Sequence, residues 1–291
     1  MSGFADFVRR SPSARFVFAV PIAVRRKWNS HKYTPMLDVL QRVEDLVASD
    51  LRVKVAEFEG EFLLGPRSHL LRRVLCNGKY EPELVKVFLR HLKPELDVID
   101  VGANVGMYSV LAGKHLTTGR VLAAEPTTAA FRRLGENVAF NGVADRVVLY
   151  RGLVSDREEM SSINFVPGRE EYSSAGTICH PAVEGQSIMS EKITSRSIDQ
   201  LVREHQLKPG LIKIDVEGFE GPVFAGAEET LKTHRPVVIS EFSPALLRAN
   251  NTAPEAILAL LDRCGYTVTD PLARGTRPEK REMGDILAVP R

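Results

Sequence analysis

Short apolar runs and longer helix-like stretches take turns along most of this chain. Runs of strand length are followed by segments whose apolar residues recur at helical spacing. The predicted strands span residues 96–101, 120–124, 147–154, 211–216, 236–240, 266–269 and 286–289. The predicted helices span residues 107–116, 127–141, 222–233 and 254–264. This order predicts an α/β fold, in which helices cover both faces of a mostly parallel, seven-stranded sheet.

The pattern is less regular before the first of these strands. Residues 53–64 alternate like a hairpin strand, and residues 43–47 suit a short helix. Pro82 predicts the start of another helix, because proline is favoured at the first helical position. We therefore expect a helical and hairpin extension over residues 33–95.

The remaining boundaries follow from composition. Residues 96–291 form the main predicted domain, and residues 156–196 within it are rich in Ser, Gly, Glu and Arg. Such a long polar stretch between two predicted strands indicates an insertion or a lid. Residues 1–32 form a separate N-terminal arm.

The arm differs from the rest of the chain in its charge. Residues 1–32 carry seven basic residues and one acid, whereas the whole chain has a net charge of +2. The apolar run at residues 16–24 is shorter than the roughly 18 residues that a membrane span needs. We expect an arm that can contact an anionic membrane surface. A solvated extension, or a helix packed on the protein body, is the alternative.

Other compositional features narrow the function classes. A net charge of +2 gives no reason to expect a nucleic-acid partner. The three cysteines lie far apart without a CxxC pair, which favours reduced thiols and a cytoplasmic protein. The histidines show no HExxH spacing, so no zinc site is predicted. The sequence makes no prediction of the oligomeric state.

A glycine-containing turn follows the strand at residues 96–101. Gly102 and Gly106 bracket it, and a helix begins at once. Open α/β sheets bind ligands at such carboxyl ends of strands. An NAD-binding loop reads GxGxxG so that two phosphates can approach the backbone, but here Asn104 and Met107 occupy the second and third glycine positions. S-adenosylmethionine has no phosphate, so the looser turn suits it better.

Two acids accompany the turn. Asp100 ends the first strand, where a carboxylate could meet an ammonium group, and Glu125 ends the next strand, where it could accept ribose hydroxyls. Glu125 would suit either cofactor, and the alternative is that the glycines only shape a tight turn. The candidate cofactor-binding residues are Asp100, Gly102, Ala103, Asn104, Gly106, Tyr108, Glu125, Gly152 and Leu153.

The strand at residues 211–216 carries charges that a central parallel strand normally lacks. With a period of two, Lys213, Asp215 and Glu217 would point to one face, at a cost unless they are paired or used. The next strand ends at Glu241. Four ionisable groups would then lie together at the carboxyl edge of the sheet, which we call the rim: Lys213, Asp215, Glu217 and Glu241. These four are the candidate catalytic residues. The alternative is that Lys213 forms an ordinary salt bridge and Glu217 caps the following helix.

Several ordered motifs together resemble the FkbM family of S-adenosylmethionine-dependent methyltransferases. They are DVIDVGANVGMYS (97–109), AAEP (123–126), NVAFNG (137–142), SIDQL (197–201), IKIDVEGFE (212–220) and PVVISE (236–241), with GKYEPE (78–83) as a lead-in. The resemblance implies a Rossmann-like class I methyltransferase fold. It also implies O-methylation of a hydroxyl on a small-molecule or glycan acceptor, such as a sugar, a glycolipid or a natural product.

The acids at the rim allow two routes for removing the hydroxyl proton. Asp215, Glu217 or Glu241 could act as a general base. Asp215 and Glu241 could instead hold Mg²⁺, which would acidify the hydroxyl. Two other function classes compete with the methyltransferase: an NAD-type nucleotide-binding oxidoreductase and a non-catalytic scaffold that keeps the fold.

Overall fold

The computed structural model describes residues 49–178, 185–272 and 284–291. The arm at residues 1–32 and the short helix predicted at residues 43–47 lie outside them. Within the described ranges, no helix has both the length and the apolar character that crossing a membrane requires.

The described residues form thirteen strands and nine α-helices. The strands are β1 (Leu51–Val55), β2 (Gly60–Leu64), β3 (Asp97–Val101), β4 (Val121–Ala124), β5 (Val147–Tyr150), β6 (Leu153–Val154), β7 (Glu159–Val166), β8 (Arg169–Ser174), β9 (Met189–Arg196), β10 (Pro209–Ile214), β11 (Val237–Glu241), β12 (Tyr266–Thr269) and β13 (Asp285–Pro290). The helices are α1 (His69–Asn77), α2 (Pro82–His91), α3 (Met107–His115), α4 (Thr128–Phe140), α5 (Ile198–His205), α6 (Glu220–Ala225), α7 (Glu228–Thr233), α8 (Pro244–Ala249) and α9 (Pro254–Arg263).

A seven-stranded sheet organises the main domain. Its strand order is β12-β13-β11-β10-β3-β4-β5, and only β13 runs against the other six. The predicted α/β class and mostly parallel seven-stranded sheet are confirmed. The central strands are buried and mostly apolar because both faces are covered. Val98 contacts the core shared with α2 and α3, whereas its neighbour Ile99 contacts the core shared with α5 and α9.

The hairpin of β1 and β2 is joined to the main domain by Asn137 of α4 and by Asn141, the residue after that helix. The Asn137 side chain accepts a hydrogen bond from the Leu63 backbone N–H at 2.7 Å. The Asn141 side chain both accepts from the Glu61 N–H, at 3.2 Å, and donates to the Glu61 carbonyl, at 2.8 Å. Amide side chains can satisfy a strand edge in this way because they offer a donor and an acceptor together.

Two predicted elements are wrong in detail. The strand expected over residues 147–154 is two strands, since β5 belongs to the main sheet whereas β6 pairs with β9 in a second sheet. The helix expected over residues 222–233 is divided between α6 and α7. The division lies at Gly226, where an added Cβ would lie 2.1 Å from the Ser155 carbonyl oxygen. A continuous helix with a larger residue there would collide with that backbone.

The predicted insertion contains a second sheet. Its four strands have the order β6-β9-β7-β8, so most of residues 156–196 is regular structure instead of an irregular loop. Ile163 and Ile193 are buried on one side of this sheet. The opposite side is polar, which explains why the stretch looks like a loop in the sequence.

Candidate active site

A cavity of about 900 Å³ opens at the carboxyl ends of the central strands. It lies where the turns after β3, β4, β10 and β11 meet, which is the usual ligand position in an open parallel sheet. All the candidate residues except Gly106 line it. The candidates that line it are Asp100, Gly102, Ala103, Asn104, Tyr108, Glu125, Gly152, Leu153, Lys213, Asp215, Glu217 and Glu241.

The turn after β3 is fixed by backbone conformation. Gly102 and Gly106 have φ values of +77° and +86°, and Asn104 between them has +51°. An added Cβ on Gly102 would lie 1.9 Å from the Asp215 carbonyl oxygen, so this position has no room for a side chain. Gly106 instead faces Leu134 of α4, whose Cδ1 would lie 2.5 Å from an added Cβ. Gly106 therefore lets the turn pack closely against α4 and does not line the cavity.

Asp100 brings a buried carboxylate to this turn. Only 1% of it is exposed, and its Oδ2 accepts a hydrogen bond of 2.6 Å from Ser109 Oγ. Its Oδ1 has no hydrogen-bond partner among the described residues. Burial raises the pKa of Asp100, while Lys213 and the Ser109 hydrogen bond act in the opposite direction. A buried carboxylate with one open oxygen fits a cationic ligand group.

Glu125 holds the turn from the end of β4. It is 3% exposed. Its Oε2 accepts from the Asn104 N–H at 3.0 Å, and its Oε1 accepts from Thr127 N–H and Oγ at 2.9 and 2.6 Å. Burial raises the pKa of Glu125 to about 7, although all three hydrogen bonds favour the charged form. Oε2 keeps capacity for one more donor, such as a ribose hydroxyl.

Lys213, in β10, is the one cation among the four candidate catalytic residues. Its Nζ lies 2.8 Å from Asp215 Oδ2 and 4.7 Å from the centre of the Tyr108 ring. Burial works against its charge, but Asp215, Asp100 and Glu81 outweigh that effect and raise the pKa of Lys213. Lys213 is therefore a permanent cation, and the salt bridge weighed as an alternative is present.

The acids after β10 meet by a route that differs from the prediction. β10 ends at Ile214, so Asp215 and Glu217 lie in the loop, and the predicted period-two alternation is wrong there. Glu217 has a φ of +52° and is followed by Gly218 at +93°. This reversal brings ligand oxygens of Asp215, Glu217 and Glu241 within 4.8 Å of one another.

Glu220, and not Glu217, is the acid in the first turn of α6. Glu220 Oε1 accepts hydrogen bonds from the Val216 and Gly218 N–H groups, at 3.3 and 3.2 Å. It therefore closes the loop before α6, and Glu217 is not needed as a cap. Glu217 faces the cavity instead.

Crowding of carboxylates changes their acidity. Burial raises the pKa of Glu217 well above its usual range, and Asp215, Glu220 and Glu171 add to the effect. Burial likewise raises the pKa of Glu241, with Glu217 and Asp215 as the next causes. Glu241 Oε2 has no hydrogen-bond partner within the described ranges. A group of this kind can hold or accept a proton near neutral pH.

One side of the cavity was not predicted from the sequence. It is built by α1 and β8, and Arg73, Tyr80 and Tyr172 line the cavity from it. Signals for α1 were present: Ser68 caps its start by accepting from the Leu71 N–H at 3.1 Å, and Gly78 ends it with a φ of +65°. A serine before an apolar helical pattern and a glycine after it are ordinary helix boundaries.

Comparison with known proteins matches this part of the chain to one family. The model of the methyltransferase FkbM domain matches residues 100–268, which is more than half of the chain. The match begins at Asp100 and includes both acids of the turn and the whole rim.

Individual relatives are more distant. The chain is 29% identical over 207 residues to the 2-O-methyltransferase NoeI of Sinorhizobium fredii, covering 67% of this chain and 79% of NoeI. It is 26% identical over 166 residues to the hexuronic acid methyltransferase AglP of Haloferax volcanii, covering 55% of this chain and 61% of AglP. It is 25% identical over 219 residues to the AMB antimetabolite synthetase AmbE of Pseudomonas aeruginosa. That match covers 64% of this chain but only 10% of AmbE, so the chain spans a small part of this much longer relative.

Proposed function

Because this chain belongs to the methyltransferase FkbM domain family, we propose that it transfers the methyl group of S-adenosylmethionine to a hydroxyl oxygen of a sugar, a glycolipid or a natural product. The observation that carries the proposal is that two groups of acidic residues line one cavity. Asp100 and Glu125 flank the glycine turn, and the rim of Asp215, Glu217 and Glu241 faces the same space. The names of NoeI and AglP, an O-methyltransferase and a hexuronic acid methyltransferase, support an oxygen acceptor and a sugar.

The residues present fit the methyl donor. S-adenosylmethionine, when bound, supplies a methyl group on a positively charged sulfur. Asp100 Oδ1 offers an open acceptor to an ammonium group, and Glu125 Oε2 offers one to a ribose hydroxyl. Gly102 keeps the backbone of the turn low enough for a ligand to lie over it. NAD fits less well, because the turn lacks the glycines that let a pyrophosphate approach.

The rim supports removal of the acceptor proton. Lys213 holds Asp215 through their ion pair. Burial raises the pKa values of Glu217 and Glu241, which makes each a stronger base once it is ionised. We propose that one of Asp215, Glu217 and Glu241 is the general base, a role that contributes about 10²–10⁴-fold in rate.

A bound Mg²⁺ is the second route to the same end. Asp215, Glu217 and Glu241 offer three carboxylate oxygens close together, and hard divalent cations prefer such ligands. A metal held by Asp215 and Glu241 would lower the pKa of a hydroxyl bound to it. The two routes differ in whether chelation of metal abolishes turnover.

Cofactor binding is the first test. We expect calorimetric titration to show binding of S-adenosylmethionine but not of NAD. Asp100→Asn keeps the shape of the side chain and removes its charge, so we expect weaker binding by about 1.5–3 kcal/mol. Asp145→Asn, an exposed change of the same kind, is the matched control and should bind normally. Tight NAD binding, or normal binding by Asp100→Asn, would contradict the proposed donor site.

Turnover is the second test. An acceptor screen with a labelled methyl donor over sugars, glycolipids and polyketides identifies the acceptor class. Asp215→Asn, Glu217→Gln and Glu241→Gln are then compared with the wild type, with and without EDTA. Lost turnover at retained cofactor affinity, unaffected by EDTA, supports a base. Loss of turnover in the wild type when EDTA is added supports a metal. Near-normal turnover in all three variants contradicts both routes and leaves proximity of the reactants as the source of catalysis.

The basic arm is a separate proposal. The charge of +6 on residues 1–32 supports contact with an anionic membrane surface, at about 1 kcal/mol per basic residue near it. Flotation with anionic liposomes compares the full chain with a variant that starts at Tyr33. Identical flotation of the two would show that the arm is not the anchor.

A further inference from the structure

The cavity has an acidic floor and a basic wall. The floor consists of Asp215, Glu217 and Glu241. The basic wall, as we define it, consists of Arg73 in the middle of α1 and Lys79 just after that helix, both of which line the cavity. Charges of both signs therefore line one space.

Arg73 is held against an aromatic ring, but no carboxylate among the described residues neutralises its charge. Its guanidinium carbon lies 4.9 Å from the centre of the Tyr80 ring, a cation–π distance. Among the described residues, neither Arg73 nor Lys79 has a carboxylate within 4.0 Å, whereas the more deeply buried Arg133 pairs with both Asp50 and Glu170. The helix α1, which carries Arg73, packs against β8.

A guanidinium stacked on a ring keeps its N–H edge available. That edge matches the two oxygens of a carboxylate or a phosphate, and stacking reduces the side-chain freedom that binding would otherwise cost. An uncompensated, half-buried arginine facing a cavity is therefore a site for an anionic ligand group. Lys79, on the same wall, adds a second positive charge.

We propose that the acceptor is an acidic molecule, whose carboxylate or phosphate binds to Arg73 on the basic wall. This inference rests on the proposed function, because it names the acceptor class of the same site. Binding of the anionic group to Arg73 leaves the hydroxyl-bearing part of the acceptor free to face the acids of the floor, which line the same cavity. Arg73 would then help to set the orientation of the acceptor as well as its class.

Burial raises the pKa of Glu171, which also lines the cavity, to about 7. Glu171 therefore opposes an acidic acceptor less than an ordinary exposed glutamate would.

Three matched probes test the inference by binding alone. Methyl glucuronide, glucose 6-phosphate and methyl glucoside are similar hexoses that differ in carrying a carboxylate, a phosphate or no charge. Each is titrated by calorimetry into the full chain loaded with S-adenosylhomocysteine. We expect at least one acidic probe to bind at least about 10-fold more tightly than the glucoside, the range of a charge-assisted hydrogen bond. The acidic probe that binds more tightly identifies carboxylate or phosphate as the preferred group.

Variants of the wall assign the effect. Arg73→Gln should remove the preference for the acid and leave binding of the glucoside and of S-adenosylhomocysteine unchanged. Arg73→Lys should restore part of the preference. Arg90→Gln removes an exposed arginine of α2 that does not line the cavity and should behave as wild type. Equal binding of acidic and neutral probes, no binding of any probe, or an unchanged preference in Arg73→Gln would overturn the inference.

Failure of the proposed function gives a different result. If acids bind through Arg73 but no hydroxyl is methylated in the acceptor screen, the inference stands and the proposed function fails. If neutral acceptors are methylated and acids bind no better, the proposed function stands and the inference fails.

Discussion

Gly102 lies where the turn after β3 meets the chain leaving β10, and we predict that Gly102→Ala destabilises the protein and disrupts the cofactor site. The φ of +77° costs an alanine about 1–2 kcal/mol. The added Cβ would lie 1.9 Å from the Asp215 carbonyl oxygen, which is backbone and has little freedom to move. Overpacking of this kind costs about 1–3 kcal/mol more. We expect a total loss of about 2–5 kcal/mol in the free energy of unfolding.

Gly142→Ala separates the two causes. Gly142 has a φ of +71°, but in the described part of the chain no heavy atom lies within 4 Å of its added Cβ. It should therefore lose only the backbone contribution of about 1–2 kcal/mol. Urea unfolding followed by circular dichroism gives both values, with the denaturant slopes compared to verify the same transition.

Cofactor binding gives a second measurement on the same pair. Gly102→Ala should bind S-adenosylhomocysteine more weakly than wild type, because relief of the clash moves the turn or the Asp215 backbone. Gly142→Ala, beyond α4, should bind it normally. Equal loss of stability in the two variants, or unchanged binding by Gly102→Ala, would refute the argument from close approach.

Two further predictions concern charges outside the reacting groups. Arg133→Ala should lower the free energy of unfolding by about 3–5 kcal/mol because it leaves the buried Glu170 unpaired. The exposed Arg132 serves as the control, since Arg132→Ala should lower the free energy of unfolding by less than about 1 kcal/mol in the same urea titration. Glu171 has a pKa raised to about 7 from 4.5, so the folded protein keeps a proton that the unfolded chain releases, and this contribution to stability is lost as pH rises through 7. Glu171→Gln keeps an oxygen for the His69 N–H, and its stability should decline less between pH 5 and about 8 than that of the wild type; parallel curves would show that Glu171 does not titrate there.

The central sheet could be predicted because its signals are local. Strands such as β3, DVIDV, are buried and mostly apolar since helices cover both faces, and Asp100 near its end and the glycines that follow mark the turn. The second sheet gave no such signal. Its strands are apolar on one side only, and pairs such as Leu153 with Ser195 join residues far apart in sequence. Register set by distant partners cannot be read from a local pattern.

The same distinction holds within the site. The ion pair of Lys213 with Asp215 could be predicted because the two residues are neighbours along one segment. The approach of Glu217 depends on a left-handed backbone that a non-glycine residue rarely adopts, so a strand pattern could not anticipate it. Arg73 was missed for a third reason. Its importance lies in having no acidic partner among the described residues, which only the surrounding structure reveals.

The position of β10 explains why the chemistry is concentrated in so few loops. β3 continues to β4 and β5 on one side, and the chain then returns to place β10 against the other edge of β3. Ligands bind at such a reversal because the two loops that leave it diverge and open a crevice. Ile214 is in register with both Val101 and Ser240, so one register fixes the glycine turn, the acidic loop and the end of β11 together. A slip of β10 by one residue would separate all three, which is why stability of the central sheet and geometry of the site depend on the same contacts.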